Sequence, residues 1–148
     1  MKKTLLVFLV FFGFLCAGQI FAQDSFHPQA LELFRSSLEN LMTGDYEQAI
    51  VDSTGVLRFE PDSSVTLTVR ARAYYETGNF ERAINDATQA IRHDRNNISA
   101  YNIRANSYVK RGDFNRAIGD WNAVLRINPD NVDAVQNRDR ARQQLREQ

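Results

Sequence analysis

Three segments of the chain follow one pattern: TGDYEQAIVDS at 43–53, TGNFERAINDA at 77–87 and RGDFNRAIGDW at 111–121. Equivalent positions lie 34 residues apart both times, from 43 to 77 and from 77 to 111. Each segment contains a glycine, then an aspartate or asparagine, then an aromatic residue. Glycine readily takes the left-handed conformation that ends a helix, and a short polar side chain caps the first amides of the next helix. The pattern therefore predicts three helical hairpins, each turning at its glycine.

The period extends beyond these turns in both directions. The same 34-residue spacing relates Leu57, Ile91 and Leu125, then Pro61, Arg95 and Pro129, then Ser63, Asn97 and Asn131. After the second turn, apolar side chains recur at intervals of three and four, which predicts an amphipathic helix. Before that turn, apolar and polar residues alternate from 65 to 75, a pattern that would also fit a strand. Because this segment occupies the place of the first helix in the 34-residue repeat, a helix is predicted. Small residues are expected where the paired helices cross, at Ala71 with Ala83 and Ala105 with Ala117.

These repeats resemble the tetratricopeptide repeat family. The resemblance implies an all-α, right-handed α-solenoid of antiparallel helix pairs, with repeats at 30–63, 64–97 and 98–131 and a capping helix at 132–148. Three positions depart from the family pattern: Arg95 replaces proline, Asn40 replaces the aromatic residue kept at Tyr74 and Tyr108, and only Trp121 is large where Ser53 and Ala87 are small. A single repeat cannot bury its own apolar face, so stacking is expected to supply the core. The departures predict a thinner first repeat on the same fold.

Two charged positions also recur with the period. The aspartates are Asp52, Asp86 and Asp120, and the arginines are Arg70, Arg104 and Arg138. The arginines begin one repeat later than the aspartates, which suggests bridges between neighbouring repeats: Asp52 to Arg70, Asp86 to Arg104 and Asp120 to Arg138. A bidentate arginine–carboxylate pair is geometrically specific, so these pairs are predicted to fix the stacking register.

A solenoid of this kind typically binds peptides or partner proteins on its concave face, which the first helix of each repeat lines. The helical period predicts a groove that is apolar at its N-terminal end and polar, mildly basic, at the other. The candidate partner-binding residues are Phe34, Leu38, Leu41, Arg72, Tyr75, Asn102, Asn106, Lys110, Gln136 and Arg140. Asparagine and glutamine suit the backbone of an extended peptide, and the cations suit acidic side chains or a free C-terminal carboxylate.

One specialised partner is not supported by the sequence. Repeats that bind the C-terminal tails of heat-shock chaperones carry a lysine and an asparagine one turn apart on the first groove helix. Phe34 and Leu38 occupy those places here, or Thr68 and Arg72 if the count starts one repeat later. Binding of a chaperone tail through that clamp is therefore not expected.

The first 22 residues are typical of a secretory signal peptide, with two lysines, an apolar centre from Leu5 to Leu15 and a small-residue exit. Cleavage is predicted before Gln23, which leaves a short segment at 23–29, and cleavage after Ala17 is the alternative. Lipidation at Cys16 is disfavoured by the bulky Leu15. The segment is also near the length of a membrane anchor. The prediction is thus an exported protein, periplasmic or secreted, with an uncleaved anchor facing outside the cytoplasm as the alternative.

Composition excludes several other functions. The chain has 18 Lys+Arg and 18 Asp+Glu, and residues 23–148 carry 16 against 18, a balance too weak to favour nucleic acid. Only two histidines, His27 and His93, follow the predicted signal, with no cysteine and no metal-ligand spacing. No phosphate-binding loop or catalytic set is present, so neither an enzyme nor a cofactor is expected.

Arg111-Gly112-Asp113 spells an integrin-binding tripeptide, but its glycine and aspartate occupy the helix-ending and helix-capping positions of the repeat. The sequence therefore predicts a non-catalytic adaptor or scaffold. Two alternatives stay open: a membrane-tethered scaffold, and a module that forms homo-oligomers through the apolar face of its first repeat.

Overall fold

The computed structural model describes residues 27–148, which form seven α-helices and no strand. The helices are α1 Pro28–Thr43, α2 Tyr46–Phe59, α3 Ser64–Glu76, α4 Phe80–His93, α5 Ile98–Lys110, α6 Phe114–Ile127 and α7 Val132–Arg146. They pair as antiparallel hairpins, α1 with α2, α3 with α4 and α5 with α6, and α7 packs on the last hairpin. The predicted all-α solenoid is confirmed, and residues 65–75 are helical. The predicted signal peptide, its cleavage and Cys16 lie outside the described residues.

The three hairpin turns form as the sequence predicts. Gly44, Gly78 and Gly112 have φ values of 87°, 78° and 77°. The residue after each glycine then accepts a backbone N–H at the start of the next helix, at 3.1 Å for Asp45, 3.4 Å for Asn79 and 3.1 Å for Asp113. Each turn therefore reverses the chain within a few residues and satisfies amides that the new helix leaves free.

Two glycines of the third hairpin give a paired prediction. Gly112→Ala is expected to lower the free energy of unfolding by about 1 kcal/mol, because a left-handed backbone disfavours a Cβ. Gly119 lies within α6, where an added Cβ meets no atom within 4 Å, so Gly119→Ala is expected to raise that free energy by about 0.5–1 kcal/mol. Urea unfolding of the two variants checks this. Equal signs for the two changes would contradict the turn geometry.

The core is built where helices cross on small side chains. Ala71, Ala83, Ala105 and Ala117 are all fully buried, as predicted. In the first repeat, buried Ser37 occupies the position of Ala71, and its hydroxyl donates to the Phe34 carbonyl at 2.7 Å. The main apolar cluster starts at Leu67, so the first repeat contributes less apolar packing than the other two.

Asn97 joins two repeats at the start of α5. Its side-chain oxygen accepts the backbone N–H of Ala100 at 2.9 Å, and its amide nitrogen donates to the hydroxyls of Ser64 and Thr68, both at 2.9 Å. The Asn97-Ile98-Ser99 sequon is thereby accounted for as a helix cap and an inter-repeat tie.

The prediction that aspartate and arginine pair between repeats is wrong. Arg70 binds Asp86 at 2.6 and 2.9 Å, and Arg104 binds Asp120 at 2.9 and 2.6 Å, each pair lying within one repeat. The two positions face each other across the hairpin, which brings both carboxylate oxygens within reach of one guanidinium. The hydrogen bonds of Asp86 raise the pKa of Arg70 above its ordinary value, against the opposing effect of burial.

Each of these two arginines also contacts the preceding repeat, through a threonine hydroxyl. The third guanidinium nitrogen of Arg70, Nη1, donates to Thr54 at 3.1 Å, and the same nitrogen of Arg104 donates to Thr88 at 3.1 Å. Both threonines belong to the second helix of the preceding repeat. Each arginine thus closes its own hairpin through a carboxylate and contacts its neighbour through a neutral group.

The two ends of this pattern use other partners. Asp52 accepts hydrogen bonds from Ser36 at 2.6 Å, Gln48 at 2.7 Å and Asn40 at 2.9 Å. Ser36 and Asn40 stand at the positions of Arg70 and Tyr74, and in the first repeat both donate to this aspartate. On α7, Arg138 binds the adjacent Asp139 at 3.1 Å and does not reach Asp120.

Candidate functional site

The inner face of the solenoid is formed by α1, α3, α5 and α7. In the described part, the first helices of successive repeats approach each other closely, α1 with α3 and α3 with α5, whereas no two second helices do so to a comparable extent. Crowding of the first helices shows that they lie on the inside of the curve. The solvent-facing surface of these four helices, on the inside of the curve, is the concave face. The predicted binding residues lie on this face.

The N-terminal end of this face is apolar. Leu38 is 36% exposed, Leu31 is 54% exposed and Met42 is 86% exposed, while Phe34 and Leu41 are half-buried. A cavity of about 260 Å³ opens beside them between α1, α2 and α3. Its lining includes Leu31, Phe34, Val56 and Val65. Exposed apolar groups beside a lined cavity form a surface that an apolar side chain of a partner can fill.

The middle of the face is less basic than the sequence suggests. Arg72, predicted as a free cation, binds Glu76 one turn further along α3 at 2.5 Å. Tyr75 packs on Phe80 with ring centroids 5.7 Å apart, so one side of its ring faces the protein. The middle of the concave face therefore presents the edge of an aromatic ring and an ion pair without net charge.

The C-terminal end of the face is polar and cationic. Asn102 and Asn106 are partly exposed on α5, and Gln136 and Arg140 are exposed on α7. Lys110 and Arg140 form no ion pair within residues 27–148. Amide groups and two available positive charges are therefore brought to one end of the groove.

A small cavity of about 70 Å³ lies at this end, between α5, α6 and α7. Asn106, Asn137, Arg140 and Gln144 line it together with Trp121. Trp121 is 2% exposed, and its indole Nε1 is the one buried side-chain nitrogen or oxygen of the described chain without a hydrogen-bond partner. In the sequence, Trp121 stands out only by its size, because the two other repeats have a small residue at this position. That difference in size is the one sequence signal for the cavity.

The tripeptide at 111–113 is committed to the turn. Arg111 binds Glu81 of the preceding turn at 3.1 Å, and Asp113 caps α6 through the backbone of Arg116 while also pairing with that side chain. The backbone hydrogen bond from Arg116 is the main cause that lowers the pKa of Asp113. These contacts hold both charged groups in a tight turn.

Neither histidine belongs to a cluster. The ring of His27 packs on Phe59 with centroids 4.9 Å apart, and His93 lies 3.5 Å from Asp62. Across residues 27–148 there is no group of three or more potential metal ligands. Over the same range, no helix has the length and hydrophobicity needed to cross a bilayer.

Comparisons with known proteins agree with this architecture. Residues 68–132 match a tetratricopeptide repeat family model. No curated protein sequence matches the chain.

Many solved structures are similar to it, among them the following three. One is the first tetratricopeptide domain of Spaghetti (RPAP3) bound to the HSP90 peptide SRMEEVD, with a TM-score of 0.76 and 27% identity over 79% of this chain and 93% of that one. Another is the second such domain of human RPAP3 in complex with the HSP70 peptide SGPTIEEVD, with a TM-score of 0.74 and 28% identity over 78% and 97%. The third is a tetratricopeptide repeat protein from Parabacteroides merdae, with a TM-score of 0.73 and 26% identity over 80% of this chain and 47% of that one.

Proposed function

We propose that this solenoid, whose residues 68–132 are tetratricopeptide repeats, is a non-catalytic adaptor that binds a peptide or partner protein along its concave face. The observation that carries the proposal is the graded lining of that face. An apolar cavity lies at one end, and a smaller cavity lined in part by amide side chains and by Arg140 lies at the other. A ligand with one apolar side chain and one anionic group matches both ends of such a groove.

The anionic group is proposed to lie at the C-terminal end. Lys110 and Arg140 supply charge there, and the amides of Asn102, Asn106 and Gln136 supply hydrogen-bonding groups of both kinds. A carboxylate is favoured as their partner because the two similar RPAP3 domains bind peptides whose sequences end in EEVD. The first repeat of this chain presents Phe34 and Leu38 in place of cations, so the apolar side chain of the ligand is assigned to that end.

The site of action is proposed to be the cell envelope or the secreted space, on the strength of the apolar segment with two lysines at the start of the chain. A tethered scaffold that keeps this segment would place the same groove next to a membrane. Mass spectrometry of the mature N-terminus separates the two, because a cleaved chain begins at Gln23 and a tethered chain does not.

Self-association through the first repeat is the second candidate function. It is favoured by the exposure of Leu31 and Met42, which puts apolar surface of α1 in contact with water. Sedimentation of the full chain tests it. A monomer at high protein concentration would contradict it, whereas a dimer that Leu31→Ser dissociates would support it.

The groove is tested with peptides that carry a free C-terminal carboxylate. Binders selected from such a library on the full chain are expected to weaken about tenfold or more in the double variant Lys110→Glu and Arg140→Glu, because attraction becomes repulsion. Arg142→Glu with Arg146→Glu is the matched control, since it makes the same charge change on α7 away from the groove. Equal weakening in both double variants would show a general charge effect and contradict binding in the groove.

A further inference from the structure

A second cavity lies away from the concave face, where the second and third repeats meet. It has a volume of about 630 Å³ and is lined by Arg92, Arg95 and Arg126 together with Ile91, Tyr101 and Ile127. None of these residues belongs to the concave face. The three arginines are exposed, whereas Tyr101 is 8% exposed. The cavity thus combines three guanidinium groups with a buried aromatic and aliphatic wall.

The charges of this cavity are not neutralised within residues 27–148. No ion pair involves Arg92, Arg95 or Arg126, and no carboxylate lines the cavity. Most other arginines of the chain are paired, as Arg70, Arg72 and Arg104 are. Arg92 and Arg126 lie in the last turns of α4 and α6, where the helix dipole favours a cation. That stabilisation does not extend to Arg95, which lies in the connection after α4.

The equivalent place between the first and second repeats differs in chemistry. Proline stands at 61 where Arg95 stands, and Asp62 and His93 stand where Asn96 and Ile127 stand. Asp62 and His93 lie 3.5 Å apart at that junction. The junction between the second and third repeats has neither the proline nor the acidic residue at these positions. The two junctions occupy equivalent places in the repeat, and they differ in these side chains.

We propose that this cavity binds an acidic peptide segment of a partner protein, with an apolar side chain between its carboxylates. Guanidinium groups match carboxylates in a bidentate manner, and three of them on two repeats fit an extended chain better than a single ion. Arg58 holds the equivalent position at the end of α2. Ile91, Tyr101 and Ile127 provide contact for the apolar side chain. This surface is separate from the groove, so the protein holds two ligands at once.

The test uses the full chain and a short peptide of glutamates around one leucine, blocked at both ends so that it has no terminal carboxylate. Binding is measured by calorimetry at low and physiological salt. Arg95→Gln together with Arg126→Glu is expected to weaken binding about tenfold or more, while Arg146→Glu, a charge reversal outside the cavity, changes it by about twofold or less. The groove variant Lys110→Glu with Arg140→Glu is expected to leave this binding unchanged, so failure here and failure of the groove are distinguishable.

Three results would overturn the proposal. The first is equal binding by the cavity variants and the wild-type chain, with folding of both verified by circular dichroism. The second is equal affinity for a peptide in which the leucine is replaced by glutamate, or full displacement by an equal concentration of inorganic phosphate, because either shows an unspecific anion site. The third is tighter binding of a single-stranded oligonucleotide of the same charge, which would assign the surface to nucleic acid.

Discussion

Replacing Asp120 by alanine is expected to lower the free energy of unfolding by about 3 kcal/mol, because it leaves the Arg104 guanidinium without its carboxylate in a mostly buried place. The side chains of Arg104 and Asp120 are only 18% and 8% exposed, and two hydrogen bonds of 2.6 and 2.9 Å join them. The remaining contact of Arg104 with Thr88 cannot neutralise the charge. Asp130→Ala, at an exposed aspartate in the next connection, is the control and is expected to change the stability by about 0.5 kcal/mol or less.

A double-mutant cycle assigns the partner of this aspartate. The coupling energy between Arg104→Ala and Asp120→Ala is expected to be about 1–3 kcal/mol, since the two groups touch. The same cycle between Asp120→Ala and Arg138→Ala is expected to give a value near zero. A large coupling to Arg138 with none to Arg104 would restore the inter-repeat pairing that the sequence suggested and contradict the pairing within the hairpin.

The second large effect is expected at Trp121. Trp121→Ala should lower the free energy of unfolding by about 3–5 kcal/mol, because it removes a buried aromatic side chain and enlarges the small cavity between α5, α6 and α7. Trp121→Phe should cost less, since it keeps most of the ring and removes the indole N–H that has no partner in the described chain. Urea unfolding of both variants measures the difference.

Hydrogen exchange locates this effect within the solenoid. Repeats contact only their neighbours, so the loss at Trp121 is expected to expose the amides of α7 first and those of α1 least. Val51→Ala, at an exposed position of α2, serves as the control. A uniform increase in exchange over all helices would show that they open together as one cooperative unit, and it would contradict this gradient.

Much of this fold can be predicted from the sequence because its signals are local. A glycine followed by a capping residue specifies a turn with little help from distant contacts, and Gly78 with Asn79 behaves as that rule requires. The crossing alanines are equally direct, since only a small side chain lets two helices approach. Asn97 is predictable as a cap, but its ties to Ser64 and Thr68 depend on how the repeats stack.

The ion pairs show where a repeat pattern stops being informative. A 34-residue period places each arginine at a fixed distance from two aspartates, one in its own repeat and one in the repeat before. Pairing within the repeat would need an arginine at Ser36 and an aspartate of this series in the same unit as Arg138, so the sequence favours pairing between repeats. The geometry of the hairpin decides instead, and Asp52 accepts three neutral donors where an arginine is missing. Arg72 also differs from the expectation that its charge is available to a ligand, because it pairs with Glu76. Glu76, four residues later on the same helix, is a sequence signal for this ion pair. Arg58, Arg92 and Arg126 are also spaced by 34 residues. The spacing alone does not reveal that Arg92 and Arg126 line a cavity, which depends on how the repeats stack.

The central claim is that a partner binds on the concave face. It is tested most directly by placing a photo-crosslinking amino acid at one position at a time in the full chain, in its native cells. Leu38 and Asn106 sample the two ends of the groove, and Val51 on α2, which is more exposed than either, is the control. Adducts of one shared mass are expected from positions 38 and 106 and none from position 51. An adduct from position 51 with none from the groove would contradict the account.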